Sequence, residues 1–257
     1  MIDSHAHIND DAFINDYDEV IKRAKESGIS YILIPGWDIE SSKKAIKIAE
    51  KYDDVYAAIG IHPENIDNLD INYLSILEEL SKNPKVKAIG EIGLDYHYRV
   101  DNKHLQKEVL TSQLKLASKL KLPVVIHSRD CTEDMLHTLK EHVKSFGFND
   151  KVGVMHSFSG SKETMNEYLK LGFYISFSGP VTFKNAPINK ENALLCPLNK
   201  MLVETDSPYM TPEPYRGKRN EPAFVNYVID QIAALKEKDR DMLSNSLLSN
   251  FIYLFNI

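Results

Sequence analysis

The sequence has little cysteine, no long apolar run and no excess of positive charge. Its 257 residues include two cysteines, Cys131 and Cys196, and no Cys-x-x-Cys motif. They offer no disulfide framework, so reduced thiols in a cytoplasmic protein are expected. No apolar stretch approaches the ~20 residues that cross a bilayer. A signal peptide is not expected either, because cleavage after about 15–30 residues would remove the histidines near the start.

The formal net charge of −6 argues against a sequence-nonspecific binder of duplex nucleic acid. Such proteins usually show a broad basic surface. A local basic patch over an active site is not excluded by this balance. We expect no membrane contact and no obligate protein partner.

Short β-branched and apolar runs alternate with amphipathic stretches along the whole chain. The runs are nearly continuous in apolar residues, which indicates strands buried on both faces, as in a parallel sheet covered by helices. Eight such units predict an α/β fold of the (β/α)8, or TIM-barrel, type, with one domain spanning residues 1–257. An open doubly wound sheet is the alternative, but its glycine-rich phosphate motif is missing after the first strand. The predicted strands are Ile2–His5, Tyr31–Pro35, Val55–Gly60, Val86–Glu91, Val124–His127, Val152–His156, Phe173–Phe177 and Met201–Glu204.

Amphipathic spacing predicts helices between these strands. Gly28, Gly147 and Gly172 stand where helices are expected to end. This alternation is typical of a barrel wrapped by helices. The predicted helices include Phe13–Ser27, Ser41–Tyr52, Tyr73–Ser81, Lys103–Lys121 and Thr132–Phe146.

Six potential metal ligands lie at or just past the ends of predicted strands. In the run Asp3-Ser4-His5-Ala6-His7, strand alternation places Asp3, His5 and His7 on one face. A single histidine at a strand end is more often a hydrogen-bonded core or rim residue. The joint pattern instead predicts a metal site at the C-terminal ends of the barrel strands. The six residues are His5, His7, Glu91, His127, His156 and Asp206.

Six ligands exceed what one open tetrahedral site uses, so two divalent ions that share a ligand fit better. Glu91 is the natural bridge because it has two oxygens. Four neutral imidazoles and two carboxylates leave the two ions with about two units of excess positive charge. That charge favours a bound hydroxide and a phosphate oxyanion, and it predicts hydrolysis of an anionic substrate. Mg, Mn and Zn are all candidates for the metal.

Seven short motifs, spread in order over nearly the whole chain, surround the candidate ligands. They are Asp3-Ser4-His5-Ala6-His7, Gly60-Ile61-His62-Pro63, Gly90-Glu91-Ile92-Gly93-Leu94-Asp95-Tyr96, Leu122-Pro123-Val124-Val125-Ile126-His127-Ser128-Arg129, His156-Ser157-Phe158-Ser159-Gly160, Val203-Glu204-Thr205-Asp206-Ser207-Pro208-Tyr209 and Pro214-Tyr215-Arg216-Gly217-Lys218-Arg219-Asn220-Glu221-Pro222. Together they resemble the TatD family of metal-dependent deoxyribonucleases, within the wider amidohydrolase-like barrel superfamily.

The resemblance implies a division of the ligands between two metals. Many amidohydrolases bridge their metals with a modified lysine on strand 4, whereas this chain has Glu91 there, which favours the TatD branch. The departures from the family pattern are minor: Ser157 stands where a cysteine is common, and Leu110 where an aromatic residue is usual. By this resemblance His5, His7 and Asp206 hold one metal, His127 and His156 hold the other, and Glu91 bridges them.

Three residues are predicted to act in the chemistry. Glu204 lies two residues before Asp206, so alternation aims both at the barrel axis. Because a buried carboxylate needs a partner, an acid-base or substrate-orienting role for Glu204 is favoured over a structural salt bridge. Asp206 is also the expected proton acceptor for the attacking water. His62, after strand 3, is favoured as a phosphate-facing residue over simple loop packing.

Substrate contacts are predicted around the same rim. The basic cluster in the loop after the last strand would ordinarily be solvated, but here it is expected beside the metals, where guanidinium groups hold phosphates. Tyr96, Tyr209 and Tyr215 are candidates for stacking on bases. The predicted substrate-binding residues are Arg129, Arg216, Lys218 and Arg219.

These residues predict a two-metal phosphodiesterase that acts on DNA, removing nucleotides from the 3′ side of single strands or frayed ends. The alternative is an amidohydrolase or esterase that acts on a small acyl substrate, since the superfamily includes both chemistries. The basic cluster favours the first, because an acyl hydrolase does not need it. A non-enzymatic barrel that binds partners has no support in the sequence, since all six ligand positions are filled.

Overall fold

The computed structural model describes residues 1–67, 69–146 and 151–257. Its strands form one eight-stranded parallel sheet in which each strand pairs with the next along the chain. The predicted strand positions are confirmed, with ends that differ by a few residues. The strands are β1 (Ile2–Asp3), β2 (Tyr31–Pro35), β3 (Val55–Ile59), β4 (Val86–Asp95), β5 (Val124–Arg129), β6 (Gly153–Met155), β7 (Tyr174–Phe177) and β8 (Met201–Val203).

Backbone hydrogen bonds between the first and last strands close the sheet into a barrel. The Ser4 N–H donates to the Val203 carbonyl at 3.0 Å. Just beyond β8, the Asp206 N–H donates to the His5 carbonyl at 2.9 Å. The predicted (β/α)8 barrel is therefore confirmed, and the open doubly wound sheet is wrong.

Helices follow the strands and cover the outside of the barrel. The first helix begins later than predicted, because a short 3-10 turn at Asp11–Phe13 precedes it. Gly28 and Gly172 have φ values of 85° and 94°, a backbone region that glycine adopts without strain. Gly147 lies outside the described residues. The helices are α1 (Tyr17–Glu26), α2 (Ile39–Ala49), α3 (Tyr73–Leu80), α4 (Lys103–Leu120), α5 (Thr132–Phe146), α6 (Lys162–Lys170), α7 (Pro187–Leu195), α8 (Val225–Lys236) and α9 (Arg240–Phe255).

Local sequence explains where these helices begin and which face they bury. α2 begins after Asp38, whose carboxylate accepts a hydrogen bond from the Ser41 N–H at 2.7 Å. The Ser41 hydroxyl accepts in return from the Asp38 N–H at 2.8 Å, which completes a capping box. In α4, Val109, Leu110 and Leu114 recur at helical spacing and are buried. This stripe holds α4 against the barrel.

Strand β4 differs most from its predicted length. It was expected to end at Glu91, but Ile92 pairs with Ile126 of β5 and the pairing continues to Asp95. One extra residue on β4 between Ile89 and Ile92 shifts the register, which makes a β-bulge that contains Glu91. Bulges re-aim side chains and are frequent next to active sites. Glu91 is therefore positioned by a bulge within the strand, not by the strand end.

Ionisable side chains interrupt an otherwise apolar interior at one end of the barrel. The core is continuous and includes Leu33 and Ile59 from the strands. Among the buried polar residues are His5, Glu91 and Glu204. Burying such groups costs free energy unless they are paired or bind a metal, which marks this end as the candidate site. Within the described ranges, no helix has the length and hydropathy needed to span a bilayer.

Candidate metal centre

Side chains that follow β1, lie within β4 and follow β8 converge at the barrel mouth. The Nε2 atoms of His5 and His7 lie 3.1 Å apart. Glu91 Oε2 is 3.3 Å from the first of these nitrogens and 3.6 Å from the second. Asp206 Oδ1 lies 3.8 and 3.5 Å from the same two atoms. The first ligand group, His5, His7 and Asp206, is thus brought together as predicted.

The other oxygen of Glu91 faces a second ligand group, His127 and His156. Glu91 Oε1 is 3.0 Å from His127 Nδ1 and 2.9 Å from His156 Nε2. Those two nitrogens are 3.3 Å apart. Glu91 therefore presents one oxygen to each group, which is the arrangement that a bridging carboxylate needs.

The spacing and charge of both groups fit bound cations. Two ligand atoms about 2.0–2.1 Å from a tetrahedral zinc ion lie roughly 3.3 Å apart, and the separations here are 2.9–3.8 Å. Burial raises the pKa of Glu91, but the nearby imidazoles, His156 first, hold it well below its ordinary value. The pKa of Asp206 is also lowered, because its hydrogen bond to His7 and neighbouring imidazoles outweigh burial. Ionised carboxylates beside imidazole nitrogens are a donor set that suits a divalent metal.

Asp95 orients His127 from behind. Its Oδ2 is 2.8 Å from His127 Nε2, which leaves Nδ1 facing Glu91. Burial raises the pKa of Asp95, but the hydrogen bond to His127 brings it down to about 2. Such a carboxylate fixes the tautomer and orientation of a metal-binding histidine. Asp95 was not among the predicted site residues, although it lies four residues after Glu91 in the same strand.

Glu204 contacts His156 on the side of the ring away from Glu91, as Asp95 contacts His127. Its Oε1 is 3.2 Å from His156 Nδ1 and accepts a hydrogen bond from the Ser157 N–H at 2.8 Å. The side chain is fully buried, and its Oε2 has no hydrogen-bond partner among the described residues. Glu204 therefore contacts a proposed metal ligand, and the substrate-orienting role suggested by the sequence stays a prediction. The acid-base role of Glu204 stays a prediction.

His62 approaches the second ligand group from the turn after β3. Its Nε2 is 3.5 Å from Glu91 Oε1, and its Nδ1 accepts a hydrogen bond from the Glu64 N–H at 3.2 Å. Burial and the neighbouring His127 lower its pKa, so the ring is held neutral. A neutral ring that accepts at Nδ1 carries its proton on Nε2. His62 is therefore oriented as a hydrogen-bond donor into the site.

A cavity of about 570 Å³ opens over both ligand groups. Arg129, at the end of β5, is the only lysine or arginine in the described part of the chain that lines it. Its guanidinium lies 4.9 Å from the centre of the Tyr98 ring, which also lines the cavity. Arg129 is thus the predicted substrate contact that the structure brings to the metal ligands.

The other three predicted cations lie elsewhere. Arg219 makes two hydrogen bonds to the Asp16 carboxylate, at 2.9 and 2.6 Å. Arg216 packs over the ring of Phe183, and Lys218 packs over a tyrosine ring of its own loop. None of the three is among the described residues that line the cavity. Arg216 and Arg219 are held away from the cavity by partners from distant parts of the chain, Phe183 and Asp16. The substrate role of all three cations stays a prediction.

The aromatic rim also differs from the expected one. Of the three proposed tyrosines, Tyr209 is the one found among the described lining residues. Tyr96 is buried and donates its hydroxyl to the Asp134 carboxylate at 2.7 Å, and Tyr215 stacks on a phenylalanine ring. Trp37, which follows β2, lines the cavity but was not selected from the sequence. Its position after a strand end was the signal that could have found it.

Comparison with known proteins gives one consistent family. A family model described as TatD related DNase matches residues 2–256. The chain belongs to this family. The metal-dependent hydrolase YabD of Bacillus subtilis, itself described as uncharacterized, is 44% identical over 257 residues, covering 100% of this chain and 99% of the relative. The 3′-5′ ssDNA/RNA exonuclease TatD of Shigella flexneri is 31% identical over 265 residues, covering 100% and 99%.

The crystal structure of YjjV, a TatD homolog from Escherichia coli, has the same fold. It matches this TatD-family protein with a TM-score of 0.92 and 31% identity, covering 100% of this chain and 98% of that one. The family resemblance and the barrel predicted from the sequence are therefore confirmed. This TatD-family protein is a metal-dependent hydrolase, and its histidine and carboxylate clusters provide the candidate ligands.

Proposed function

We propose that this TatD-family protein is a deoxyribonuclease that uses two divalent ions and removes nucleotides from the 3′ side of single-stranded or frayed DNA. The observation that carries the proposal is Glu91, which presents one oxygen to each of two ligand groups on the cavity floor. Two metals held in this way suit displacement at a phosphate. The Shigella relative, a 3′-5′ ssDNA/RNA exonuclease by name, supports the polarity and the single-stranded substrate.

Each of the two ligand groups would hold one divalent ion. His5, His7 and Asp206 would hold one ion, the histidines of the second ligand group would hold the other, and Glu91 would bridge them. When bound, the ions supply Lewis-acid stabilisation of charge and activation of water. Magnesium, manganese and zinc all accept this mixture of imidazole and carboxylate ligands.

Side chains of the site accept the proton, contact the phosphates and orient the metal ligands. Asp206, ionised because its pKa is lowered, accepts the proton of the attacking water. His62 donates a hydrogen bond from Nε2 to a phosphate oxygen. Arg129 pairs with a phosphate of the same strand. Asp95 and Glu204 fix the orientation of the two imidazole rings of the second ligand group.

The cavity itself favours a strand end over a small acyl substrate. Its volume of about 570 Å³ is within the range of pockets that hold one compact ligand, so it admits a terminal nucleotide and not an intact duplex. Arg129 lines the cavity, and an uncharged ester has no anionic group with which its guanidinium could pair. A cytoplasmic location stays a prediction from the sequence.

Digestion of single-stranded DNA labelled at the 5′ or the 3′ end tests the proposal. Purified protein is stripped with EDTA and supplemented with magnesium, manganese or zinc. We expect no cleavage after EDTA, recovery with metal, and stepwise loss of nucleotides from the 3′ end. A blunt duplex of the same sequence serves as the control and should be degraded more slowly. Metal-supported hydrolysis of a neutral nitrophenyl ester with no digestion of any DNA would overturn the proposal.

A further inference from the structure

Two aromatic rings border the cavity beside His7. The centre of the Trp37 ring is 5.4 Å from that of His7, and the centre of the Tyr209 ring is 6.2 Å from it. Tyr209 is 55% exposed, and Trp37 is partly exposed. Neither residue belongs to a described ligand cluster. The two rings contact a proposed metal ligand but supply no ligand themselves, so their exposed surfaces are free to contact substrate.

The charges at this wall favour an uncharged group over a phosphate. The Tyr209 hydroxyl donates to Asp10 Oδ2 at 3.1 Å, and Asp10 and Glu64 line the same cavity. Arg129 lies instead against the Tyr98 ring. Carboxylates near the two rings would repel a phosphate, whereas the neutral face of a nucleobase is not repelled. The cavity thus has a wall suited to a base and a separate position suited to a phosphate.

The backbone holds Trp37 in place before any substrate arrives. The Trp37 N–H donates to the Ser41 hydroxyl at 2.8 Å, inside the cap of α2. Its carbonyl accepts from the His62 N–H, also at 2.8 Å, in the turn after β3. A ring on a backbone fixed at both sides loses little conformational entropy on contact with a ligand.

We propose that Trp37 and Tyr209 form a nucleobase site, in which a base at the 3′ end of the substrate stacks on the indole while the adjoining phosphate meets the metals. This inference rests on the proposed deoxyribonuclease function and adds a determinant of its specificity. Stacking reads the face of a base and not its edge, so the site accepts all four bases and favours the larger purines.

An oligonucleotide without its terminal bases isolates this contact. One substrate is an octamer of deoxyadenylate, and the other carries abasic tetrahydrofuran residues at its last two 3′ positions, with every phosphate retained. For the wild-type holoenzyme we expect kcat/KM to be roughly tenfold or more higher on the base-bearing octamer. In Trp37→Ala that ratio should fall to near one, by loss on the base-bearing substrate alone. Trp37→Phe should keep most of the ratio.

The chain offers a second, independent readout. Trp37 is its single tryptophan, so fluorescence excited at a wavelength that tyrosine does not absorb reports on this site alone. Rapid mixing of the holoenzyme with the base-bearing octamer should quench the fluorescence, and the abasic octamer should not. Tyr253→Ala, which removes a 44% exposed ring on α9, is the matched control and should leave the ratio and the quench unchanged.

The outcomes separate this inference from the proposed function. Equal kcat/KM on the two octamers, with normal 3′ digestion, would overturn the base site and leave the deoxyribonuclease intact. A quench by the base-bearing octamer alone, without hydrolysis of either one, would support the base site and overturn the proposed function. If Trp37→Ala lost activity equally on both octamers, Trp37 would serve the fold of the site and the inference would be wrong.

Discussion

At the scale of single residues, the candidate centre depends on carboxylates behind its histidines. Asp95 holds His127 at 2.8 Å, and Glu204 lies 3.2 Å from His156 Nδ1. Both acids are buried, and neither is exposed to the cavity in the way that Asp206 is. Their effect on activity is therefore expected to pass through the histidines and the metals.

Glu204→Gln tests this expectation. The amide keeps the size of the side chain and an acceptor for the Ser157 N–H but removes the charge opposite His156. We expect metal affinity to fall about 10–100-fold, the usual effect of such outer partners, and activity to recover at saturating metal. Glu191→Gln, at an exposed ion pair with Lys162, is the control and should change neither. A low kcat that persists at saturating metal would assign Glu204 to proton transfer instead.

A second residue-scale prediction concerns Arg129, which lines the cavity, and Arg219, which does not. Arg129→Ala should raise the KM for oligonucleotides and reduce the slope of log KM against log salt by roughly 0.7 per lost phosphate contact. Arg219→Ala should leave KM unchanged, because its guanidinium is paired with Asp16. It should instead cost up to about 1 kcal/mol in the free energy of unfolding, as a partly exposed pair does. Steady-state kinetics over a salt series would check both, and a raised KM in Arg219→Ala alone would restore the loop cluster as the phosphate contact.

At the scale of elements, strand positions were predictable because each buried parallel strand is a short apolar run in the sequence. The bulge in β4 was not predictable, because it arises from pairing with β5 and not from the residues around Glu91 alone. The same limit applies to Arg219, whose partner Asp16 precedes the first helix. The ligands lay near predicted strand ends and were identified. Asp95 was missed because β4 was predicted to end at Glu91. Trp37 also follows a strand end, but the sequence around it does not show that its ring lies beside His7.

The pairing of β4 with β5 gives an element-scale prediction at Gly93. A Cβ at this position would lie 1.9 Å from the His127 carbonyl oxygen, so Gly93→Ala must push the two strands apart. We expect a loss on the order of 3 kcal/mol in the free energy of unfolding, together with weaker metal binding, since His127 moves with its backbone. Urea denaturation and metal titration would measure the two effects.

Gly217→Ala is the control for this variant. A Cβ at Gly217 meets no atom within 4 Å, but its φ of 87° makes alanine strained. The expected cost is about 1 kcal/mol, without any change in metal affinity. Unchanged metal binding in Gly93→Ala would show that His127 does not depend on the β4–β5 spacing.

At the scale of the whole molecule, the proposed metals connect segments from both ends of the chain, since His5 and His7 follow β1 and Asp206 follows β8. We expect EDTA to lower the melting temperature. A ligand at 100 times its dissociation constant adds about 2.7 kcal/mol, which is roughly 5–10 °C for a protein of this size. Glu91→Ala should abolish the rise in melting temperature on adding metal, because both ligand groups share that side chain. A scanning fluorimetry curve with the full metal-induced rise in Glu91→Ala would show that Glu91 is not the bridge.

The closure of the barrel has a consequence for biosynthesis. His5 and His7 leave the ribosome early, whereas Asp206 and the β8 carbonyl that accepts from the Ser4 N–H follow about 200 residues later. A nascent chain therefore carries two of the three residues of the first ligand group before the third is made. Translation products that stop before β8 lack Asp206 and cannot complete the first ligand group, so two-metal hydrolysis is expected only from chains that extend beyond it.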